Sequence, residues 1–148
     1  CLFSVLKVAQ TRVIRRLSSL DYAGFALWTF GFTLEVIADY QKRAFREIAE
    51  NKGKFIDSGL WSISRHPNYF GEILLWTGIS LSAFSGTRSP LVFISPIFVS
   101  FLLICISGIP LLEKSADEKY GGDQRYLDYK ENTPVLVPFI GRKGDASL

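Results

Sequence analysis

Residues 65–76 read Arg65-His66-Pro67-Asn68-Tyr69-Phe70-Gly71-Glu72-Ile73-Leu74-Leu75-Trp76, a polar motif that leads directly into an apolar segment. Proline presets φ and has no N–H, so Pro67 suits the first turn of a helix. In that helix Asn68 and Glu72 are i and i+4 and share one face. From Tyr69 to Phe84 the only charged residue is Glu72. Because burying an unpaired carboxylate is costly, we expect this face to meet a ligand or a partner group.

The composition of the chain indicates one membrane domain. Hydrophobic residues make up 48% and aromatic residues 14% of the 148 residues, which is apolar for a soluble domain of this length. The net charge of +3 is too small to indicate nucleic-acid binding. One histidine and two cysteines without zinc-type spacing predict no metal site. The chain begins with Cys1 rather than Met, so we expect a fragment or a processed product.

Three apolar segments predict transmembrane helices at residues 22–38, 67–84 and 91–112. The third contains no charge and, at about 1.5 Å per residue, can cross a hydrocarbon core of about 30 Å. In the second, Gly71, Gly78 and Ser82 recur at near-helical spacing and are predicted to permit close helix packing. The predicted fold class is therefore all-α, a multispan transmembrane bundle with cytosolic juxtamembrane helices. The connecting residues 85–90 are rich in turn formers.

The basic residues predict the orientation of these three spans. The N-terminal segment and residues 85–90 would share one side, while residues 39–66 and the segment from Glu113 onward would share the other. Five basic residues fall on the first side and twelve on the second. By the positive-inside rule the second side is cytosolic, which places the motif at 65–72 at the cytosolic membrane face.

A charged juxtamembrane helix is predicted at residues 39–50. Its residues Asp39, Arg43 and Arg46 are spaced i, i+4 and i+7 on one face. Spacing alone favours an ordinary intrahelical ion pair, worth a few tenths of a kcal/mol. The alternative is that Arg46 and Arg65 bind phosphate oxygens of a cytosolic cofactor, for which a guanidinium fork is well suited. Arg65 fits a lipid-headgroup anchor equally well.

Several separated motifs, in order, resemble the C-terminal domain of the steroid 5-alpha-reductase superfamily. The resemblance covers roughly residues 22–140 and is most similar to a branch of multispan membrane proteins of poorly assigned function. We therefore divide the chain into the end of a preceding segment or span (1–21), this domain (22–140) and a disordered tail (141–148). The residues that carry the resemblance are Ala38-Asp39-Tyr40-Gln41-Lys42, Asn51-Lys52-Gly53-Lys54, Gly59-Leu60-Trp61, Ser64 to Glu72, Trp76, Gly78, Ser107 to Glu113 and Asp128-Tyr129 to Pro138.

This resemblance implies an oxidoreductase that binds NADPH from the cytosolic side. It nominates five cofactor-binding residues, with Asn68 and Glu72 at the nicotinamide or ribose end, Arg46 at the phosphates, and Asp39 and Tyr129 beside them. The implied reaction is hydride transfer to a C=C bond, conjugated with a carbonyl, in a steroid or other lipid. The implied location is a multi-pass membrane protein, in the endoplasmic reticulum if the source is eukaryotic. In the steroid reductases the substrate pocket and acid pair come from earlier helices, so we expect no activity from these 148 residues alone.

Two alternative functions remain open at this stage. Arg65, His66, Pro67, Tyr69 and Gly71 also match an element that isoprenylcysteine carboxyl methyltransferases and related membrane methyltransferases share. That resemblance implies S-adenosylmethionine as the cofactor and methyl transfer as the reaction. The motif fits the reductases better at positions 68 and 72. The second alternative is a non-enzymatic membrane protein that retains a degenerate site, against which the intact polar motif argues.

Overall fold

The structure is a computed structural model that describes residues 5–6 and 16–140. The regular elements within residues 16–140 are all helical, which confirms the predicted all-α class. The tail predicted at 141–148 and most of the segment at 1–21 lie outside the described residues. The α-helices are α1 (Ser19–Glu47), α2 (Pro67–Thr87), α3 (Ile94–Phe101), α4 (Ile109–Tyr120) and α5 (Gln124–Asn132), with 3₁₀ turns at Ala49–Asn51, Gly59–Ser62 and Pro90–Phe93.

Helix α1 is one continuous helix that contains both the first predicted span and the predicted juxtamembrane helix. It begins after Ser18, whose backbone N–H donates to the Asp21 carboxylate at 2.7 Å. It ends at Glu47, because the next residue, Ile48, has extended backbone angles. The Asn51 side chain then donates a hydrogen bond to the carbonyl of Phe45 at 3.0 Å. The two elements predicted at 22–38 and 39–50 are therefore parts of one helix. The polar residues of the last two turns are attached rigidly to the apolar part of the same helix.

Helices α1 and α2 run antiparallel and pack through small residues. Gly31 lies against Gly71, and Gly24 lies against Gly78 and Ser82, so closely that a Cβ at any of these glycines would lie under 3.0 Å from the facing helix. The glycines within each helix are seven residues apart, so they recur on one face. The packing role predicted for residues 71, 78 and 82 is confirmed.

The third apolar segment, predicted as one transmembrane helix at 91–112, is interrupted. Helix α3 continues into a π-helical turn, Leu102–Ile106, and Gly108 then breaks the helix with φ −92° and ψ −99°. A Cβ at Gly108 would lie 2.4 Å from the carbonyl oxygen of Leu103, so the bend requires glycine here. Within the described residues, the stretch Pro90–Tyr120 is the one helical region long and apolar enough to cross a membrane by length and composition.

Large apolar side chains point outward, while much of the interior is small or polar. Phe25 on α1 is 65% exposed and Ile97 on α3 is 67% exposed. The buried positions of α1 are Gly24, Gly31 and Ala38, and Ser80 is fully buried in α2. This distribution is the reverse of a water-soluble core and is typical of helices that pack through small residues in an apolar surrounding.

The segment after α5 packs back against the loop that precedes α2. The Arg65 N–H donates to the Pro134 carbonyl at 2.8 Å, and the Ser64 hydroxyl donates to the Leu136 carbonyl at 2.7 Å. Trp61, in the same loop, donates from its indole to the Ala38 carbonyl of α1 at 3.0 Å. These hydrogen bonds hold α1, the loop before α2 and the segment after α5 together beside one cavity.

Candidate functional site

One cavity within the described residues combines positive charge with aromatic rings. It has a volume of about 240 Å³ and lies between the end of α1, the loop 52–66 and helices α4 and α5. No acidic side chain other than Glu113 lines it among the described residues. Its cations are Lys42, Arg46, Lys54, Arg65 and Lys119, and its rings are those of Phe45, Phe55, Trp61, His66, Tyr120, Tyr126 and Tyr129.

A shallower groove of about 430 Å³ adjoins this cavity along the last turns of α1. Asp39, Arg43 and Glu47 line only the groove, whereas Lys42 and Arg46 line both features. The Lys42 ammonium lies 4.5 Å from the centre of the Trp61 ring, a cation–π contact. The cavity and the groove therefore form one extended surface with two cations at their junction. An elongated anionic ligand can contact both parts at once.

Glu113 holds the two residues that begin the motif. Its Oε2 accepts a hydrogen bond from the Arg65 guanidinium, and its Oε1 is 2.9 Å from His66 Nε2. The His66 ring stacks on Tyr69 with 5.6 Å between ring centres, and His66 is only 5% exposed. Lys130 lies 3.8 Å from the same carboxylate. Both Arg65 and His66 are thus fixed at the cavity wall by one carboxylate.

Aromatic contacts attach the loop 52–58 to helices α4 and α5. The Phe55 ring lies 5.3 to 5.8 Å, centre to centre, from the rings of Tyr120, Tyr126 and Tyr129. Tyr129 also donates from its hydroxyl to the Trp61 carbonyl at 2.6 Å. This cluster forms an aromatic part of the cavity lining, with the Lys119 ammonium 5.0 Å from the centre of the Tyr120 ring, and a planar ring of a ligand can stack on it.

Asn68 and Glu72 lie beside the cavity rather than in its wall. The Asn68 amide donates to Asp39 at 3.1 Å, which links α2 to the groove on α1, while its buried Oδ1 has no hydrogen-bond partner within the described residues. Glu72 lies close enough to Asp39 and to Glu35 for their charges to interact. The two motif residues thus extend the surface from the groove along α2.

The structure groups the six predicted site residues in two sets. Arg46, Arg65 and Tyr129 line the cavity, and Asp39, Asn68 and Glu72 lie along the groove side. No ion pair joins Asp39 to either arginine of α1 among the described residues; its hydrogen-bond partner is Asn68. The intrahelical ion pair that spacing alone favoured is therefore wrong.

Sequence reasoning missed two residues that the structure places at the site. Lys42 lies at the junction of the cavity and the groove, and Glu113 anchors Arg65 and His66. Lys42 lies one turn before Arg46 on the same helix, a spacing that could have indicated it. Glu113 is the first charge after the apolar segment 91–112, but nothing in the sequence pairs it with a residue 47 or 48 positions away.

Burial determines the charge states of several cavity groups. Burial, together with the nearby charge of Arg46, lowers the pKa of Lys42 below that of an ordinary lysine. Burial likewise raises the pKa of the Tyr129 phenol, against the opposing effect of Arg65. Burial and the hydrogen bond to Asp117 raise the pKa of Tyr126. Both phenols are therefore neutral at physiological pH, and an anion bound beside them meets no phenolate.

The fold and site define a class of protein: a protein that is helical through its described residues 16–140, with large apolar side chains exposed on its helices and a cavity lined by cations and aromatic rings. Residues 2–133 match the family described as "Protein of unknown function (DUF1295)". The chain belongs to this family, which is the steroid 5-alpha-reductase family domain.

Curated relatives include proteins named as steroid dehydrogenases, one named as a sterol reductase and one named as a probable O-methyltransferase. The chain is 31% identical to human "3-oxo-5-alpha-steroid 4-dehydrogenase 1" over 117 residues, which are 79% of this chain and 40% of the relative. It is 42% identical over 52 residues, 35% of this chain and 14% of the relative, to "Delta(14)-sterol reductase" of Arabidopsis thaliana. It is 32% identical over 60 residues, 40% of this chain and 21% of the relative, to "Probable O-methyltransferase ustE" of Ustilaginoidea virens.

The matched region spans about 40% of the length of the 5-alpha-steroid dehydrogenase. No solved structure matches the chain.

Proposed function

We propose that this domain binds NADPH for a membrane reductase that reduces a C=C bond of a steroid or other lipid. The observation that carries the proposal is the cavity in which Arg46, Arg65 and Tyr129 come together with further cations and rings. Guanidinium and ammonium groups bind phosphate oxygens, and aromatic rings stack on planar bases. The names of the human and Arabidopsis relatives supply the reaction class.

The residues present fit this cofactor. A cavity of about 240 Å³ is too small for a whole dinucleotide, but its continuity with the groove provides a site of two parts. Lys42 and Arg46, which line both parts, would bind the phosphates, and the unpartnered Asn68 Oδ1 would accept a hydrogen bond from the ligand. NADPH would supply the hydride. The proposal assigns these residues to cofactor binding and assigns no proton donor.

We further propose that the domain spans the membrane several times with the cavity on the cytosolic side. The outward-facing apolar side chains of α1 and of the segment 91–112 support this arrangement. The excess of basic residues in 39–66 and after residue 113 supports the cytosolic placement, because such residues are retained on that side. A water-soluble dinucleotide would then reach the cavity from the cytosol while a lipid substrate arrives through the bilayer. In a eukaryotic cell the expected membrane is the endoplasmic reticulum.

Methyl transfer from S-adenosylmethionine is the second candidate, because one relative is named as an O-methyltransferase. Charge favours the first candidate. NADPH carries three phosphate groups, whereas S-adenosylmethionine carries none and has a sulfonium cation. The cavity and the groove together are lined by six cations against three carboxylates, those of Asp39, Glu47 and Glu113, and this net positive charge attracts the former and repels the latter.

Equilibrium binding to the detergent-purified protein, with NADPH and S-adenosylmethionine offered separately, tests the proposal. We expect saturable binding of NADPH that weakens as salt is raised, since screening reduces each phosphate contact. Saturable S-adenosylmethionine binding without NADPH binding would establish the methyltransferase candidate instead. Binding of neither would favour the non-enzymatic alternative.

The substitution Glu72→Gln tests the α2 side of the site. It keeps the size of the side chain, so we expect weaker NADPH binding with an unchanged thermal unfolding midpoint. Glu118→Gln, on the exposed surface of α4, is the matched control. An identical dissociation constant in both variants would leave Glu72 with a structural role only.

A further inference from the structure

A short irregular segment between two glycines forms one wall of the cavity. Gly53 and Gly59 have φ values of +84° and +61°, a backbone region that glycine adopts without strain. Residues 54–58, which lie between them, are neither helix nor strand, and we call them the strap. Three residues of the strap line the cavity: Lys54, Phe55 and Ile56. A movement of the strap would therefore open the cavity along this wall.

The chain on either side of the strap is attached to helix α1. Before the strap, the Asn51 side chain donates to the Phe45 carbonyl at 3.0 Å. After the strap, the Leu60 N–H donates to the Gln41 side-chain oxygen at 2.9 Å. These two hydrogen bonds fix the points at which the strap begins and ends. The two glycines lie between the fixed points and the strap, where a hinge is needed.

The strap itself is held to α4 and α5 by side chains of those helices. Arg125 of α5 forms an ion pair with Asp57 at 2.6 Å, and the Tyr120 hydroxyl of α4 donates to the Lys54 carbonyl at 3.0 Å. The Arg125 side chain is 68% exposed, so this ion pair is of the weak surface kind. Within the described residues, no hydrogen bond between main-chain atoms involves residues 55–57. Segments with so few main-chain hydrogen bonds open at low cost in free energy.

We propose that the strap is a gate of the cavity, which swings away from α4 and α5 about Gly53 and Gly59 to admit the cofactor and then closes over it. This inference rests on the proposed function for the identity of the ligand. The cavity of about 240 Å³ is smaller than most sites that enclose a small molecule, and a moving wall supplies the missing room. Closure returns the Lys54 ammonium to the cavity wall, where a bound phosphate attracts it.

A reversible crosslink between the strap and α5 tests the gate. We would introduce Asp57→Cys and Arg125→Cys into protein whose two cysteines are replaced with serine, and join the pair with a short bifunctional thiol reagent that dithiothreitol releases. Stopped-flow NADPH fluorescence gives the association and dissociation rates of the linked and the released protein. We expect both rates to be at least about tenfold lower in the linked protein, because a closed gate slows entry and exit alike. The dissociation constant should change by less than about threefold, since the bound state is the closed state.

The matched control is a crosslink that does not involve the strap. The same reagent would join Lys114→Cys to Glu118→Cys, which are exposed, one turn apart on α4 and outside the cavity wall. Both NADPH rates should be the same in the linked and the released control. Circular dichroism confirms that each protein is folded.

Thiol labelling of the cavity tests the gate without any ligand. Ala116 lines the cavity from α4, and Ala116→Cys in the same cysteine-free protein is modified by fluorescein maleimide when the cavity is open. Adding Arg125→Gln, which removes the ion pair with the strap, should speed this labelling by about two- to fivefold, the effect of one exposed ion pair on the opening equilibrium. Adding Glu118→Gln instead should leave the labelling rate unchanged.

The outcomes separate the gate from the proposed function. NADPH binding at the same rates in the linked and the released protein would overturn the gate and leave the cofactor assignment standing. Equal labelling of Ala116→Cys with and without Arg125→Gln would also overturn the gate. Protein that binds no NADPH but is labelled faster with Arg125→Gln would overturn the cofactor assignment and support a strap that opens.

Discussion

The close packing of α1 against α2 makes Gly31→Ala a severe test of the fold. A Cβ at residue 31 would lie 2.6 Å from the Gly71 carbonyl oxygen and 2.6 Å from the Leu75 amide nitrogen. Ordinary contact begins at 3.4 Å, so the helices would have to separate by about 0.8 Å at this level. Both neighbouring atoms belong to the backbone of α2, so neither can move aside without shifting the helix. The separation should therefore spread along the interface.

The expected magnitude follows from two opposing effects. Overpacking in a rigid interface costs about 1 to 3 kcal/mol, and the backbone contacts place this site near the upper end. Replacing a helical glycine with alanine returns about 1 kcal/mol of helix propensity. We therefore expect the free energy of unfolding to fall by about 1 to 2 kcal/mol. NADPH binding should weaken in parallel, because the hydrogen bond between Asn68 and Asp39 crosses the same interface.

The assay is unfolding in mixed micelles of increasing sodium dodecyl sulfate, followed by circular dichroism. Gly122→Ala is the matched control, since a Cβ there meets no atom within 4 Å and the turn does not require a positive φ. Its free energy of unfolding should stay within about 0.5 kcal/mol of the wild type. If Gly31→Ala is as stable as Gly122→Ala, the close approach of the two helices is wrong.

Three further predictions concern charge and topology. Arg46→Gln should weaken NADPH binding by about ten- to a hundredfold, the loss of one charge-assisted hydrogen bond, in a titration of NADPH fluorescence. Lys52→Gln, which is exposed and outside the cavity wall, should leave the binding unchanged. Burial lowers the pKa of Lys42, so its ammonium should lose its proton at a lower pH than an ordinary lysine does, and NADPH binding should weaken over that pH range. The guanidinium of Lys42→Arg stays charged, so this variant should lose affinity only at higher pH or not at all. NADPH dissociation constants measured from pH 7 to 10 for both proteins check this prediction. Cysteines introduced near Lys54 and Arg88 should react with an impermeant maleimide from opposite sides of sealed vesicles, and labelling from one side would contradict three spans.

The helices and the family were accessible from sequence because their signals are local. Pro67 marks the start of α2, since the ring fixes φ for the first turn, and the structure begins the helix there. The continuity of α1 through Asp39 was missed because a change from apolar to charged residues resembles a boundary although the backbone continues. The bend at Gly108 was missed because a glycine in an apolar run is compatible with a straight helix until its neighbours are known.

The candidate site could be predicted only in part from the sequence, because it is assembled from residues that are distant along the chain. Arg46, Arg65 and Tyr129 were predicted as cofactor residues and line one cavity, although they are far apart in the sequence. Their spatial grouping depends on hydrogen bonds such as that from Tyr129 to the Trp61 carbonyl, which no periodicity encodes. The roles of these residues in cofactor binding remain a prediction.

The sequence by itself determined the helical class, the apolar segments and the polar motif from Arg65 to Glu72, because these depend on composition and spacing along one chain. Only the tertiary structure decided what that motif faces. Glu113 comes from a distant helix to hold Arg65 and His66, while Asp39 binds Asn68 across the glycine-packed interface. The physical reason is that a charged side chain pairs with whichever group lies near it once the helices have packed, and the sequence alone does not say which group that is. Packing here depends on how closely two helix backbones approach.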